Sequence, residues 1–189
     1  MAKVTLNPVL EGFRGKIGNL VFKRFQDGVI VGQAPNTEGR EPTAGQLAQR
    51  ERFRLAVLYG RTALADPNTK ALYEASAKAD GQQVFALTVS DFLHAPSVDE
   101  IDLNGYTGKA AESIHIRASD DFEVTGVAVR ITDGNGTTLE QAAATQTIPG
   151  SSDWRYQTTT NVAPGQSVSI EVTATDRPGH KTTKVKAKV

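Results

Sequence analysis

The chain of 189 residues contains no cysteine, one methionine and one tryptophan, and aromatic residues make up only 6% of it. The absence of cysteine excludes disulfide bonds, thiolate metal sites and cysteine nucleophiles. Basic and acidic residues each number 21, so the net charge is zero and attracts neither nucleic acid nor an anionic membrane. No apolar run approaches the ~20 residues that a membrane-spanning helix needs. We therefore expect no nucleic-acid partner and no membrane span.

Sequence motifs of catalytic sites are also scarce. The three histidines, His94, His115 and His180, lack the spacing of a metal site. No glycine-rich loop precedes a helix that would hold a phosphate, and no serine has the sequence of a nucleophile elbow. The first residues lack the basic and apolar segments of a cleavable signal peptide. These absences predict a non-catalytic protein; they leave its compartment open, and favour a surface-exposed assembly or virion over a cytoplasmic enzyme.

The beginning of the chain has the pattern of a β-hairpin. Residues 19–25 and 29–31 flank an Asp-Gly pair at positions 27 and 28, and Asp-Gly supplies the positive φ angles of a tight hairpin turn. Residues 4–6 fit a short strand.

Two helices are predicted next. Residues 43–46 fit a capping box that begins a helix running to about Ala65. Asp66 and Pro67 suit the N-cap and first position of a second helix, which ends near Gly81. The apolar residues 84–93 fit either a strand or a short helix.

The first of these helices has two apolar stripes at 100° per residue. One comprises Phe53, Val57 and Leu64; the other comprises Leu47, Leu58 and Ala65, with Arg50, Arg54 and Arg61 between them. Two stripes predict contact on two sides. Either the hairpin and the second helix cover both, or one of them meets a partner.

Residues 98–189 predict an all-β region. Seven candidate strands alternate apolar and polar residues over 98–103, 113–118, 124–132, 137–143, 154–159, 167–175 and 182–189. Turn residues separate them, which is typical of a β-sandwich. The predicted core residues are Ile116, Val129, Trp154, Ile170 and Val172. Trp154 and Tyr156 alternate as core residues, although they also suit an aromatic platform for a glycan.

Three segments of this region resemble bacterial immunoglobulin-like (fibronectin-III-like) modules. They are ASDDFEV at 118–124, DGNG at 133–136 and ATDRPG at 174–179. The resemblance implies a spacer, an adhesive module or a decoration on a fibre or phage particle. Residues 15–24 loosely resemble short bacterial and phage proteins. We predict an α+β chain: a hairpin and helical domain over 1–96, then a seven-stranded Ig-like antiparallel sandwich over 97–189.

Three aspartates form a candidate calcium site. Asp120 and Asp121 follow the second sandwich strand, and Asp176 precedes the last, so both loops are expected at one pole of the sandwich. Carboxylate oxygens are ligands that calcium prefers, although such sites need about six. Alternatively, Asp120 and Asp176 cap their turns through side-chain to backbone hydrogen bonds.

The last strand alternates Lys184, Lys186 and Lys188 with Val185, Ala187 and Val189. We expect the valines and alanine to be buried and the lysines to face solvent, where they guard an edge strand against aggregation. Alternatively this strand, or residues 4–6, pairs with a neighbouring subunit.

Self-association is favoured by the lack of catalytic motifs, the predicted β-sandwich, the two-striped helix and the terminal strands. The opposite charges of the two halves of the chain either steer head-to-tail contacts or are ordinary scatter in composition. Residues 1–97 carry twelve Lys or Arg and nine Asp or Glu, whereas residues 98–189 carry nine and twelve. The candidate contact residues are Arg50, Phe53, Arg54, Val57, Lys184 and Lys186. We predict a structural homo-oligomer: a fibre, particle-coat or decoration subunit. The alternative is a monomeric module at a cell surface that binds a glycan or a protein.

Overall fold

Short strands near the start of the chain form a four-stranded antiparallel sheet in the order β1-β4-β3-β2. They are β1 (Ala2–Val4), β2 (Gly15–Ile17), β3 (Leu20–Phe25) and β4 (Gly28–Gln33). The computed structural model describes residues 2–4, 14–25, 28–36, 39 and 41–188. Phe25 pairs with Gly28, which confirms the hairpin. Its turn residues 26 and 27 lie outside the described residues, as do positions 5 and 6 of the predicted first strand.

Three helices follow: α1 (Ala44–Ala65), α2 (Pro67–Asp80) and α3 (Val84–Leu93). The Asp66 carboxylate accepts a hydrogen bond from the backbone N–H of Thr69 at 2.8 Å, and so caps α2 as predicted. Gly81 ends α2 with a φ of 66°, a left-handed conformation that favours glycine. The ambiguous residues 84–93 are a helix. No helix in the described parts of the chain is long and apolar enough to cross a lipid bilayer.

The buried face of α1 consists of small residues. Ala56, Gly60 and Ala63 are buried there. A Cβ atom at Gly60 would lie 2.6 Å from the hydroxyl oxygen of Thr88, so glycine is needed for α1 and α3 to approach this closely. The face lies beside the Phe53, Val57 and Leu64 stripe, on the side away from the arginines, and neither predicted stripe is the main packing surface.

Eight strands complete the chain: β5 (Ser97–Asp102), β6 (Ser113–Ser119), β7 (Val124–Asp133), β8 (Thr138–Ala143), β9 (Thr145–Gln146), β10 (Asp153–Gln157), β11 (Val168–Asp176) and β12 (Lys181–Lys188). They form two four-stranded antiparallel sheets, ordered β5-β6-β10-β9 and β12-β11-β7-β8. The seven predicted strands are confirmed to within two residues. The missed strand, β9, is too short to show alternation.

The inward side chains of both sheets form one core. All five predicted core residues belong to it and are at most 6% exposed: Ile116, Val129, Trp154, Ile170 and Val172. The alternation of period two therefore identified the correct face of each of these strands.

The last strand faces the opposite way from the prediction. Lys184 and Lys186 pair across the ladder with the buried residues Val172 and Ile170, so they lie on the inner side of β12. Val185 is on the outer side and is 56% exposed. The prediction that the apolar residues of this strand are buried was therefore wrong; position 189 lies outside the described residues.

Both inward lysines reach across to the other sheet. Lys184 Nζ donates to the carbonyl oxygens of Val98 and Asp99 at 3.0 and 2.7 Å. Lys186 Nζ donates to the carbonyl of Ile101 at 2.7 Å. The aliphatic stems thus cover the open side of the core while the ammonium groups bind β5, which explains why apolar residues are not needed there.

Contacts divide the chain into two units, residues 1–44 and 45–189. The division predicted after residue 96 follows the change from helix to strand. In the structure, α2 and α3 belong to the same unit as the sandwich. The period of apolar residues reports the local conformation of the chain and not the packing between elements, so it does not predict this grouping.

Candidate functional site

Two loops of the sandwich meet the helices. Phe122, between β6 and β7, stacks on Tyr73 of α2 with ring centroids 4.0 Å apart. Arg177, between β11 and β12, lies 5.8 Å from the centroid of the Phe122 ring and donates to the carboxylate of Glu123 at 2.6 Å. These contacts confirm that the two loops share one pole. We call this region the helix–sandwich junction.

Asp91 lies at the centre of the junction and is completely buried. Its Oδ2 accepts a hydrogen bond from the hydroxyl of Tyr73 and a longer one, 3.4 Å, from Tyr59. The two tyrosine hydroxyls are 2.9 Å apart. Oδ1 of Asp91 has no hydrogen-bond partner. Burial is the main cause that raises the pKa of Asp91 to about 7, and the hydrogen bond from Tyr73 opposes this rise.

Asp120 brings a second carboxyl group against Asp91. Both Asp120 oxygens are buried without a partner, and burial raises the pKa of this group too. The neighbouring Asp120 raises the pKa of Asp91 further, whereas the hydrogen bond from Asp91 lowers the pKa of Asp120. One proton shared between them resolves the conflict, because a protonated carboxyl donates an O–H to its neighbour. Asp120 lines an open cleft of about 370 Å³.

Asp176 is buried beside this pair but its oxygens are satisfied. Oδ1 accepts the backbone N–H groups of Gly179 and His180 at 2.7 and 2.6 Å, and Oδ2 lies 2.8 Å from Nδ1 of His180. The turn-capping interpretation of Asp176 is therefore confirmed.

Asp121 points elsewhere, towards α3. Its Oδ2 accepts from the hydroxyl of Ser90 at 2.6 Å and lies 2.6 Å from Nδ1 of His94. Among the residues that the structure describes, no group of three or more His, Asp or Glu side chains is placed to hold a metal ion. The calcium hypothesis for Asp120, Asp121 and Asp176 gains no support from this arrangement.

The sequence did not indicate that two histidines belong to the junction. His94 contacts Asp121, and the ring of His180 meets the edge of Phe92 at a centroid distance of 5.2 Å. His115 is exposed on β6. A signal for Asp91 was available, since it is the one charged residue within the apolar segment 84–93.

The first half of α1 is a second candidate site, a surface. Every residue of 44–55 is exposed. Leu47, Phe53 and Leu58 are 53%, 51% and 54% exposed. These exposed apolar side chains make the surface of α1 a candidate for contact with another molecule.

The predicted self-association residues are divided between two places. On α1, Arg50 and Phe53 are exposed and Val57 is half-buried. Arg54 is also exposed and pairs with Glu51 at 2.6 Å. Lys184 and Lys186 lie on β12, and their ammonium groups donate hydrogen bonds to backbone carbonyl groups of β5.

The aromatic residues suggested as a glycan platform are internal. Trp154 and Tyr156 are 6% and 2% exposed. Their interpretation as core residues is confirmed, and neither ring offers a face to a ligand.

Comparisons with known proteins give no family. No family model matches the chain, and no curated protein matches it. Among solved structures, CopC from Methylosinus trichosporium OB3b is similar over 50% of this chain and 90% of its own, with 14% identity and a TM-score of 0.37. An engineered protein is similar over 49% of this chain and 19% of its own, with 19% identity and a TM-score of 0.36.

Proposed function

We propose that this is a non-catalytic structural protein that assembles with copies of itself, as a fibre, particle-coat or decoration subunit. The exposed apolar residues of α1 carry the proposal. Leu47, Phe53 and Leu58 each leave more than half of the side chain in water, and burying such area is favourable by about 25 cal/mol per Å². An assembly would bury it.

The strand order supports an immunoglobulin-like assignment for the sandwich. Sheets ordered β5-β6-β10-β9 and β12-β11-β7-β8 match the A-B-E-D and G-F-C-C′ orders of that fold. A folded sandwich holds its edge strands and loops in fixed positions, which suits a subunit that makes the same contacts in every copy of an assembly. The sandwich would then be the rigid body of the subunit and α1 its contact element.

The junction supports the non-catalytic part of the proposal. Asp91 has a carboxyl group with a raised pKa, a feature that often marks an acid–base catalyst. Here the side chain is completely buried and holds the two tyrosine hydroxyls. Asp91 presents no surface to a substrate, so a structural role fits better.

Light scattering on the purified chain over a wide concentration range, with negative-stain imaging of the same samples, tests the proposal. Large regular assemblies, or a mass that rises with concentration, would support it. A 20.2 kDa monomer at every concentration would overturn it and favour a monomeric binding module.

A further inference from the structure

Four residues of α1 form a straight stripe on its exposed side. At 100° per residue, positions 47, 51, 54 and 58 fall within about 60° of one another. This outer stripe, Leu47, Glu51, Arg54 and Leu58, lies opposite Ala56, which packs into the protein. All four side chains are exposed, so the stripe is available to a partner.

The outer stripe has the same pattern in both directions. A leucine stands at each end, and a glutamate and an arginine stand at equal distances from the midpoint between residues 52 and 53. Glu51 and Arg54 carry opposite charges. In a second helix that runs in the opposite direction, the arginine therefore stands at the height of the first helix's glutamate, and the glutamate at the height of its arginine. A surface that is complementary to its own reverse is what a twofold axis requires.

We propose that the outer stripe of α1 binds the outer stripe of a second copy, with the two helices antiparallel about a twofold axis at residues 52 and 53. This inference rests on the proposed self-assembly and specifies one of its contacts. Leu47 then packs on Leu58 of the second copy, and Glu51 lies beside Arg54 of the second copy.

The alternative parallel pairing is disfavoured by charge. In a parallel pair in register, Glu51 would face Glu51 and Arg54 would face Arg54, and like charges at a contact oppose association. The helix dipoles also favour the antiparallel arrangement.

The pairing is small. From Leu47 to Leu58 the helix rises about 16 Å, so the contact buries less than the ~1,200 Å² of a stable complex. It is therefore a weak contact that acts together with others in an assembly, and it is best measured at high protein concentration.

Charge exchange tests the contact. Glu51→Arg places arginines on both sides and should weaken association roughly tenfold or more, whereas the double variant Glu51→Arg/Arg54→Glu restores opposite charges and should recover most of it. The matched control is Glu74→Arg, the same change in the exposed Lys70–Glu74 pair of α2. Association constants come from sedimentation equilibrium.

Cross-linking tests the direction of the helices, because the chain has no cysteine of its own. Under mild oxidation, a mixture of Leu47→Cys and Leu58→Cys chains should form the mixed disulfide. Leu47→Cys alone should form none through this contact, since two copies of position 47 stand about 16 Å apart in the antiparallel pair, beyond the reach of a disulfide.

The outcomes separate the two proposals. A wild-type chain that is monomeric at all concentrations overturns the proposed function and this contact with it. A wild-type chain that associates, while Glu51→Arg behaves like Glu74→Arg, leaves self-assembly standing and overturns the outer stripe as its contact. Disulfides formed mainly between two Leu47→Cys chains overturn the antiparallel direction.

Discussion

Replacing Asp91 with asparagine would remove the ionisable group at the centre of the helix–sandwich junction and keep its shape. The asparagine oxygen can accept the hydrogen bond from Tyr73, and its amide group can donate to Asp120 without needing a shared proton. The variant should therefore keep its stability at a pH high enough to ionise both carboxyl groups of the wild-type pair.

The direction of the pH effect follows from the pKa of Asp91, which rises from 3.8 to about 7 on folding. Because the folded value is the higher one, the folded state keeps a proton that the unfolded state has lost. The stabilisation is complete below pH 3.8 and is lost as the pH rises through 7. At 1.36 kcal/mol for each unit of pKa, the loss between pH 5 and pH 8 is about 2–3 kcal/mol.

Urea unfolding at pH 5 and pH 8 measures this loss. Circular dichroism follows the helices, and the fluorescence of Trp154, the only tryptophan, follows the sandwich. The free energy of unfolding of Asp91→Asn, relative to wild type, should rise by about 2–3 kcal/mol from pH 5 to pH 8. Other groups at the junction (Tyr59, Asp176, Arg177 and the two histidines) are present in both chains, so their contributions cancel to first order. Asp120 is also present in both, and in the variant the amide of residue 91 replaces the carboxyl O–H as its hydrogen-bond donor.

Asp80→Asn, at the exposed end of α2, is the matched control and should show no such change. If the difference between Asp91→Asn and wild type were the same at pH 5 and pH 8, the carboxyl pair would not hold a proton, and the reasoning from burial would be refuted.

Three further changes test the fold. Ile170→Ala, at a completely buried position, should lower the free energy of unfolding in urea by about 2–5 kcal/mol. Val185→Ala, at a position that is 56% exposed, should change it by less than about 0.5 kcal/mol. Equal effects of the two variants would mean that the strand faces are assigned wrongly. Lys184→Met removes two hydrogen bonds to β5 and should cost about 1–2 kcal/mol, with faster amide hydrogen exchange in β5; unchanged exchange would contradict the bridging role. Gly81→Ala has open space for its methyl group but a φ of 66°, so thermal unfolding should show a loss of about 1 kcal/mol from backbone strain alone.

The sequence predicted the strands and helices of the chain well because their periods are local properties. Alternation located the inward residues of β6, β7, β10 and β11, and the Asp66-Pro67 pair located the start of α2. What failed was packing between elements. α1 packs through alanine and glycine at Ala56, Gly60 and Ala63, and a search for large apolar residues overlooks such a face.

The candidate sites were predicted only in part. The exposed stripe of α1 was visible as apolar residues left over from a helix pattern. The junction was not, because Asp91 and Asp120 meet only through tertiary contact and are far apart in the sequence. β12 was assigned to the wrong face because the hydropathy of lysine hides its long aliphatic stem, which lets Lys184 and Lys186 point inward and still place their charges at β5.

The lysine bridge between β12 and β5 joins the last strand of the sandwich to its first. The hydrogen bonds from Lys184 and Lys186 span 85 or 86 residues of sequence. They therefore close a long loop, and they form only when residues far apart in the sequence have come together. During synthesis, β5 leaves the ribosome well before β12 exists. That side of the sandwich therefore stays open until β12 has been made, and it is where a newly made copy is most exposed to its neighbours.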